Sequence, residues 1–221
     1  MPRPARVEPP PHPDLSFELS LWEGGLTLLA GLDEAGRGAW AGPVYAAAVI
    51  LPRDNGILDI LQGVRDSKKM TPRQRTYWAG RIRLAAAGWG IGAASAEEID
   101  SRGIVAATRL AMQRALEACS CQPEHLLIDA LRLPGVNVPQ LALIKGDARS
   151  LSIAAASVLA KTARDAWMAE LGEQYPGYGF AAHKGYGTRM HREALARLGP
   201  CAEHRRSYGP VRGWEFNRAR R

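Results

Sequence analysis

Asp33 and Glu34 stand side by side at the end of the apolar run "LTLLAGLD", and Gly36, Arg37 and Gly38 follow almost at once. Two more carboxylates share that placement: Asp129 closes the run "HLLIDA", and Asp147 falls at the end of "LALIKGDA". Carboxylates brought within a few Å of one another repel, and some take up protons unless a positive charge sits among them. A divalent cation supplies that charge. Mg²⁺ and Mn²⁺ take oxygen ligands and complete their shells with water and substrate phosphate. Two such ions about 4 Å apart serve in-line phosphodiester cleavage, activating the attacking water and stabilising the leaving oxygen. Each acid taken singly also has a plainer reading, Asp33 and Glu34 as part of a turn and Asp147 as a turn cap after Gly146. Asp129 resists it, because an acid closing a buried run needs a partner or an ion. Asp165 stands four residues after Lys161 and reads as an i,i+4 helix pair.

The elements that must position these acids are legible as patterns. Residues 26–33 and 44–51 are apolar runs of strand length separated by a loop rich in glycine, and they read as antiparallel neighbours. Adjacent residues of a strand point to opposite sides, so Asp33 and Glu34 face one site only if the strand ends or bulges there. Further strands are expected at 89–95, 125–130 and 141–148. Thr71 as N-cap and Pro72 in the first turn open a helix running to Ala87. Apolar spacing predicts helices over 104–119, 152–171 and 187–199, the second with an alanine-rich first half suited to lying close on a sheet. Five strands interleaved with helices make an α/β domain, its first strands antiparallel and its later ones reached through helical crossovers. Acids at carboxyl ends of strands lie where such sheets gather their functional groups.

Totals bound the rest. A chain of 221 residues with 46% hydrophobic content fits one domain with a real core. Residues 1–24 are rich in proline and read as an irregular extension, leaving 25–221 as a single domain. No stretch approaches about 18 apolar residues, and the first residues lack a secretory h-region, so no membrane association is expected. Cys119, Cys121 and Cys201 lack both a pairing pattern and zinc spacing, which points to a reducing cytoplasm. The formal charge of +7 lies in residues 181–221, where 10 basic residues face 3 acidic ones. That stretch reads either as a solvated tail or as a surface for a polyanion.

Five ordered blocks, "GLDEAGRGAWAGPVYAAAVIL", "DSKKMTPRQR", "IKGDARSLSIAAASVLAKTARD", "YGFAAHKGYGT" and "HRRSYGP", resemble the successive signatures of ribonuclease HII and cover most of residues 26–211. Only about 25 residues precede the first block, which favours type II over the related type III enzymes with their added N-terminal domain. The resemblance implies a ribonuclease H-like fold, a mixed five-stranded sheet flanked by helices with a helical C-terminal part that helps hold the duplex. It implies cleavage of RNA in RNA–DNA hybrids and incision 5′ of single ribonucleotides in duplex DNA, leaving a 3′-hydroxyl and a 5′-phosphate. By motif position, Asp33, Glu34 and Asp129 are implied metal ligands and Asp147 the fourth active-site acid, with Mn²⁺ or Mg²⁺ as cofactor. Gly36, Arg37 and Gly38 match the element that reads the ribose and its flanking phosphate. The 2′-hydroxyl is the group that separates RNA from DNA there. Tyr186 matches a tyrosine packed beside the ribonucleotide junction, and Lys68, Lys69, His183 and Lys184 are expected phosphate contacts. One residue departs from the pattern: Ala130 stands where glycine commonly follows the third acid, and its methyl group disfavours positive φ.

Two other function classes compete. A binding module of the same fold without catalysis would gain from losing carboxylates that repel phosphate, yet the acid set is complete. A nucleotide-binding protein would use its glycine loop as a phosphate cradle, yet no "GxxxxGK[ST]" occurs and the acids precede the glycines. A monomer is expected, since no apolar surface stripe is left over.

Overall fold

The computed structural model describes residues 12–218. Its sheet is built from β1 (Leu29–Ala35), β2 (Val44–Ile50), β3 (Gly88–Ala94), β4 (His125–Asp129) and β5 (Gln140–Leu143), in the order β3-β2-β1-β4-β5. The helices are α1 (Ser16–Glu23), α2 (Ile57–Ile60), α3 (Pro72–Ala85), α4 (Ala96–Arg102), α5 (Ile104–Glu117), α6 (Leu151–Gln174), α7 (Phe180–His183), α8 (Arg189–Leu198) and α9 (Gly209–Arg218). β1 pairs antiparallel with β2, as the short glycine-rich connection requires, and β2 likewise with β3. β4 joins β1 in parallel after the crossover through α5, with Leu32 opposite Ile128 as the last pair. β5 is parallel to β4 but is not reached through a helix. A loop makes that connection, and Gln140 satisfies its backbone by accepting from Leu133 N and donating to Leu133 O and Val136 O.

Two apolar layers sandwich the sheet. On one face α6 lies against β1 and β2, its residues Ile153–Ala156 and Val158–Ala160 fully buried. Gly31 makes that approach possible, because a Cβ there would fall 2.2 Å from the carbonyl carbon of Ser152. On the other face Ala107, Ala111, Met112 and Ala115 of α5 pack on Leu32, Ile50, Leu126 and Ile128. Each fully buried leucine or isoleucine here contributes roughly 1.5–3 kcal/mol, so the strands carrying the acids are held from both sides. α3 begins as expected, with Thr71 and Gln74 forming a reciprocal capping box.

Five helices depart from the sequence expectations, α2 and α7 as single four-residue turns. α1 lies inside the stretch 1–24 expected to be irregular. Leu15 and Trp22 are buried against the core, and the Glu18 carboxylate accepts from Ser150 Oγ, Ser152 Oγ and Ser152 N at 2.6, 2.6 and 3.0 Å. Tertiary contacts, not local periodicity, make this segment helical. α4 follows a second capping box, Ser95 with Glu98. α9 occupies part of what the charge pattern suggested was a tail. Among the described residues no helix is long and apolar enough to cross a membrane.

Candidate active site

The four acids collect at the carboxyl ends of the parallel strands. Extending the β1–β4 register by one step past Leu32 and Ile128 places Asp33 beside Asp129. Asp129 in turn pairs with Leu143 at the end of β5, and its Oδ1 accepts the Gly146 N–H at 2.7 Å. Gly146 opens a single 3-10 turn, Gly146–Ala148, that carries Asp147 into the buried interior. Asp33 is buried beneath α6, where Ser157 works against the rise of its pKa.

The expected break of the first strand at Asp33 and Glu34 does not occur. β1 keeps regular register with β2 through Ala35, so the two acids alternate across the sheet. Glu34 reaches the site from the other face, and its Oε1 accepts from Arg37 Nη1 at 3.2 Å. Its Oε2 is buried without a partner. Among the described residues no three acidic, histidine or cysteine side chains already converge as a cation cage.

The acids nevertheless feel one another. Burial first, then Glu34, Asp129 and Asp147, push the Asp33 carboxyl well above the usual range. Burial raises Glu34, against the Arg37 guanidinium. Burial also raises Asp129, opposed by the Gly146 amide, and raises Asp147, with Asp66 and Asp129 adding to it. Two cations answer this crowd, Arg37 beside Glu34 and Lys68 beside Asp147. Lys68 Nζ stands 3.9 Å from Asp147 Oδ2, and the attraction of Asp33 and Asp147 outweighs burial to raise its pKa. A concentrated negative site of oxygen ligands with an orphaned carboxylate oxygen fits a hard divalent cation.

Across a cavity of ≈ 320 Å³ from Glu34 lie Gly36, Arg37, Gly38, Lys161 and Tyr186. Gly36 has φ 97°, and a Cβ on it would strike Arg164 Nε at 2.0 Å, so glycine is required on both counts. Arg164 is fully buried and, among the described residues, makes no ion pair with a carboxylate. It donates to the carbonyls of Pro43, Ala41 and Lys184 at 2.9, 3.2 and 3.0 Å, and its guanidinium lies 5.4 Å from the Tyr186 ring centre. Arg205 repeats the device, donating to Gly42 O and Arg37 O at 2.9 and 2.8 Å. These two buried arginines tie the loop of Gly36–Gly38 to the turn that carries Tyr186.

Other expected contacts fare differently. Lys69 is exposed at the site's edge. Lys184 is half-buried in a left-handed conformation and is tied down through its backbone. His183 is not on a phosphate-facing surface. It is buried, its Nε2 lies 2.8 Å from Tyr178 O, and burial lowers its pKa, so it packs as a neutral ring. Ala130 does adopt positive φ, at 51°, so the loop keeps a glycine-like shape at a cost in strain. Asp165 makes the expected bond with Lys161 at 2.6 Å and also receives Arg75 at 3.0 Å, locking α3 to α6. Sequence reasoning missed Asp66, Ser157, Lys161, Arg164 and Arg205. A cation inside a buried alanine-rich helix was a signal for Lys161 and Arg164; the others had none.

A ribonuclease HII family model matches residues 30–210. Ribonuclease HII of Geobacillus kaustophilus is 54% identical over 198 residues, spanning 90% of this chain and 74% of the relative. The crystal structure of the ribonuclease H2 from Pyrococcus horikoshii OT3 shares the fold, with TM-score 0.73, 24% identity, and coverage of 88% of this chain and all of that one. Bst-RNase HIII in complex with Mn²⁺ also shares it, with TM-score 0.68, 20% identity, and coverage of 88% and 71%. The acids at the strand ends and the loop facing them thus lie within a chain that belongs to the ribonuclease HII family, endonucleases that cleave the RNA strand of RNA–DNA hybrids.

Proposed function

We propose that the chain incises duplex DNA on the 5′ side of single embedded ribonucleotides, as well as cutting longer hybrids, and leaves a 3′-hydroxyl and a 5′-phosphate. Asp33, Glu34, Asp129 and Asp147 are the residues that would hold two divalent ions, Mg²⁺ or Mn²⁺. Those ions supply charge for the attacking water and the leaving oxygen. The observation that carries this reading is the burial of mutually repelling carboxylates at the strand ends, one of which, Glu34, has an orphaned Oε2 and lines the same cavity as the loop of Gly36–Gly38 and Tyr186.

The protein's own groups have separable tasks. Gly36 and Gly38 let the backbone come close to the sugar, where the 2′-hydroxyl is tested. Arg37, paired with Glu34 and partly exposed, is placed to take a phosphate. The Tyr186 ring gives the deoxyribose side of the junction a flat surface to stack on. Lys68 and Lys69 contribute positive charge along the strand.

The test is cleavage of a duplex carrying one ribonucleotide, titrated with Mn²⁺ and with Mg²⁺ and mapped by product ends. A cut 5′ of the ribonucleotide is expected with at least one ion, and no cut with either overturns the proposal. Asp129→Asn should lose cleavage while still binding the duplex. Equal loss of both would make Asp129 a structural residue.

A further inference from the structure

The C-terminal part holds three buried histidines, His183, His191 and His204, in an apolar cluster with Tyr178 and Phe180. His183 and His191 stack at 4.4 Å between ring centres. Their hydrogen-bond partners fix which nitrogen of each ring carries the proton. The carbonyl of Tyr186 can only accept, so His191 Nδ1, 3.1 Å away, must donate. A neutral His191 then presents Nε2 as a bare acceptor, and His204 Nε2, 3.0 Å away, must donate to it. That leaves His204 Nδ1 to accept the Cys201 N–H at 3.0 Å. His183 is set independently: Gly185 N donates to its Nδ1 at 3.2 Å and its Nε2 donates to Tyr178 O.

A second proton on any of these rings would point one donor at another. Burial accordingly holds His191 and His204 down to about 4, with each histidine's neighbour adding to the shift. The chain runs in one direction, Cys201 N–H to His204 to His191 to the Tyr186 carbonyl. Its far end is fastened beside the loop that follows Gly38. His204 forms a bridge with Ala41, Arg205 N donates to Trp40 O at 2.8 Å, and Trp40 N donates to Gly185 O at 2.8 Å.

We infer that His191 is a positioning residue for Tyr186, and that the neutral imidazole pair His204–His191 sets the distance between the Tyr186 ring and the loop of Gly36–Gly38. The inference rests on the proposal that Tyr186 reads the ribonucleotide junction. A ring displaced by about 1 Å loses its alignment with the sugar, and displacement of that size costs up to about 10²-fold in rate. The preference for a single ribonucleotide over a long hybrid should therefore depend on a residue that touches no substrate.

The test has two arms. Imidazole ¹⁵N spectra of the labelled wild-type protein at neutral pH should show His191 protonated on Nδ1, and His183 and His204 on Nε2. His191 protonated on Nε2 would overturn the inference whatever the kinetics. In the second arm, His191→Phe keeps the ring volume but removes both hydrogen bonds. Its kcat on the single-ribonucleotide duplex should fall about tenfold more than on a long hybrid, with KM little changed. His191→Asn, whose amide can still donate to Tyr186 O, should recover most of the preference, and His191→Leu, which also removes both hydrogen bonds, replaces the phenylalanine variant if that fails to fold. Tyr186→Ala is measured alongside. If it leaves the preference intact, the junction reading itself falls and the inference falls with it. If it lowers the preference while neither His191 variant does, the inference alone is wrong.

Discussion

A carboxylate buried in the field of three others costs free energy, and Asp33 is the clearest case. It lies beneath α6 with its pKa driven well above the ordinary range, yet it contributes nothing to packing that an amide could not. Asp33→Asn keeps the Oδ1 that accepts from Glu34 N at 2.7 Å and removes the repulsion. In the absence of divalent ions the variant should be more stable than wild type by about 1–2 kcal/mol, while cleavage falls at least about a hundredfold. Thermal melts in chelator, paired with a cleavage assay, check both. A less stable variant would mean that the acids do not repel as placed. The neighbouring Ala130 makes a smaller statement of the same kind. Its φ of 51° costs an L-residue about 1–2 kcal/mol, partly returned because glycine has a more disordered unfolded state. Ala130→Gly should therefore raise the melting midpoint by roughly 1–3 °C, and a lowered midpoint would show that the methyl group packs usefully.

At the scale of elements, the N-terminal helix is the part that matters most and that the sequence hid best. α1 closes over the start of α6, where Leu151 N donates to Asp14 O at 2.9 Å and Glu18 takes three donors from Ser150 and Ser152. A buried carboxylate at that helix terminus complements the exposed N–H groups of its first turn. Asp147 sits only three residues before Ser150, so the clamp also steadies one of the strand-end acids. Glu18→Ala should cost about 2–3 kcal/mol, or roughly 5–10 °C, and Glu18→Gln less than half of that because its amide oxygen still accepts. Denaturant melts decide it, and an alanine variant as stable as wild type would make α1 an ornament. The strands, the capped α3 and the alanine-rich α6 were legible because each carries a local signal: an apolar run, a capping pair, small residues in series. The strand-end acids inherited that legibility. α1 had no such signal, since proline precedes it and only distant Ser150 and Ser152 explain Glu18. Arg205 was hidden for the opposite reason, counted within a basic stretch although it is fully buried. The imidazole cluster brings together positions 8 and 13 residues apart, by stacking and by hydrogen bond, a spacing with no periodic meaning before folding.

The whole molecule carries two buried titrating sets of opposite sign, and they meet in its dependence on pH. His191 and His204 have folded pKa values near 4, below the ordinary 6.5. Their contribution to stability is complete above pH 6.5 and is lost as pH falls toward 4, because the unfolded chain takes up protons first. Asp33 is shifted the other way, so its contribution is present below 3.8 and is lost as pH rises through its higher folded value. Between the two sets, acidification weakens the C-terminal cluster while relieving the acids at the sheet. Each fully titrating group changes stability by at most about 1.4 kcal/mol per pH unit. The metal-free wild-type protein should thus show a shallow decline in stability from pH 7 to pH 5. In Asp33→Asn one of the opposing groups is gone, and the same interval should give a steeper decline, although that variant starts from the higher stability at pH 7. Denaturant midpoints at three pH values in chelator distinguish the cases. Parallel profiles for the two proteins would show that Asp33 does not titrate in this range and that the crowded carboxylates do not shape the energetics of the candidate site.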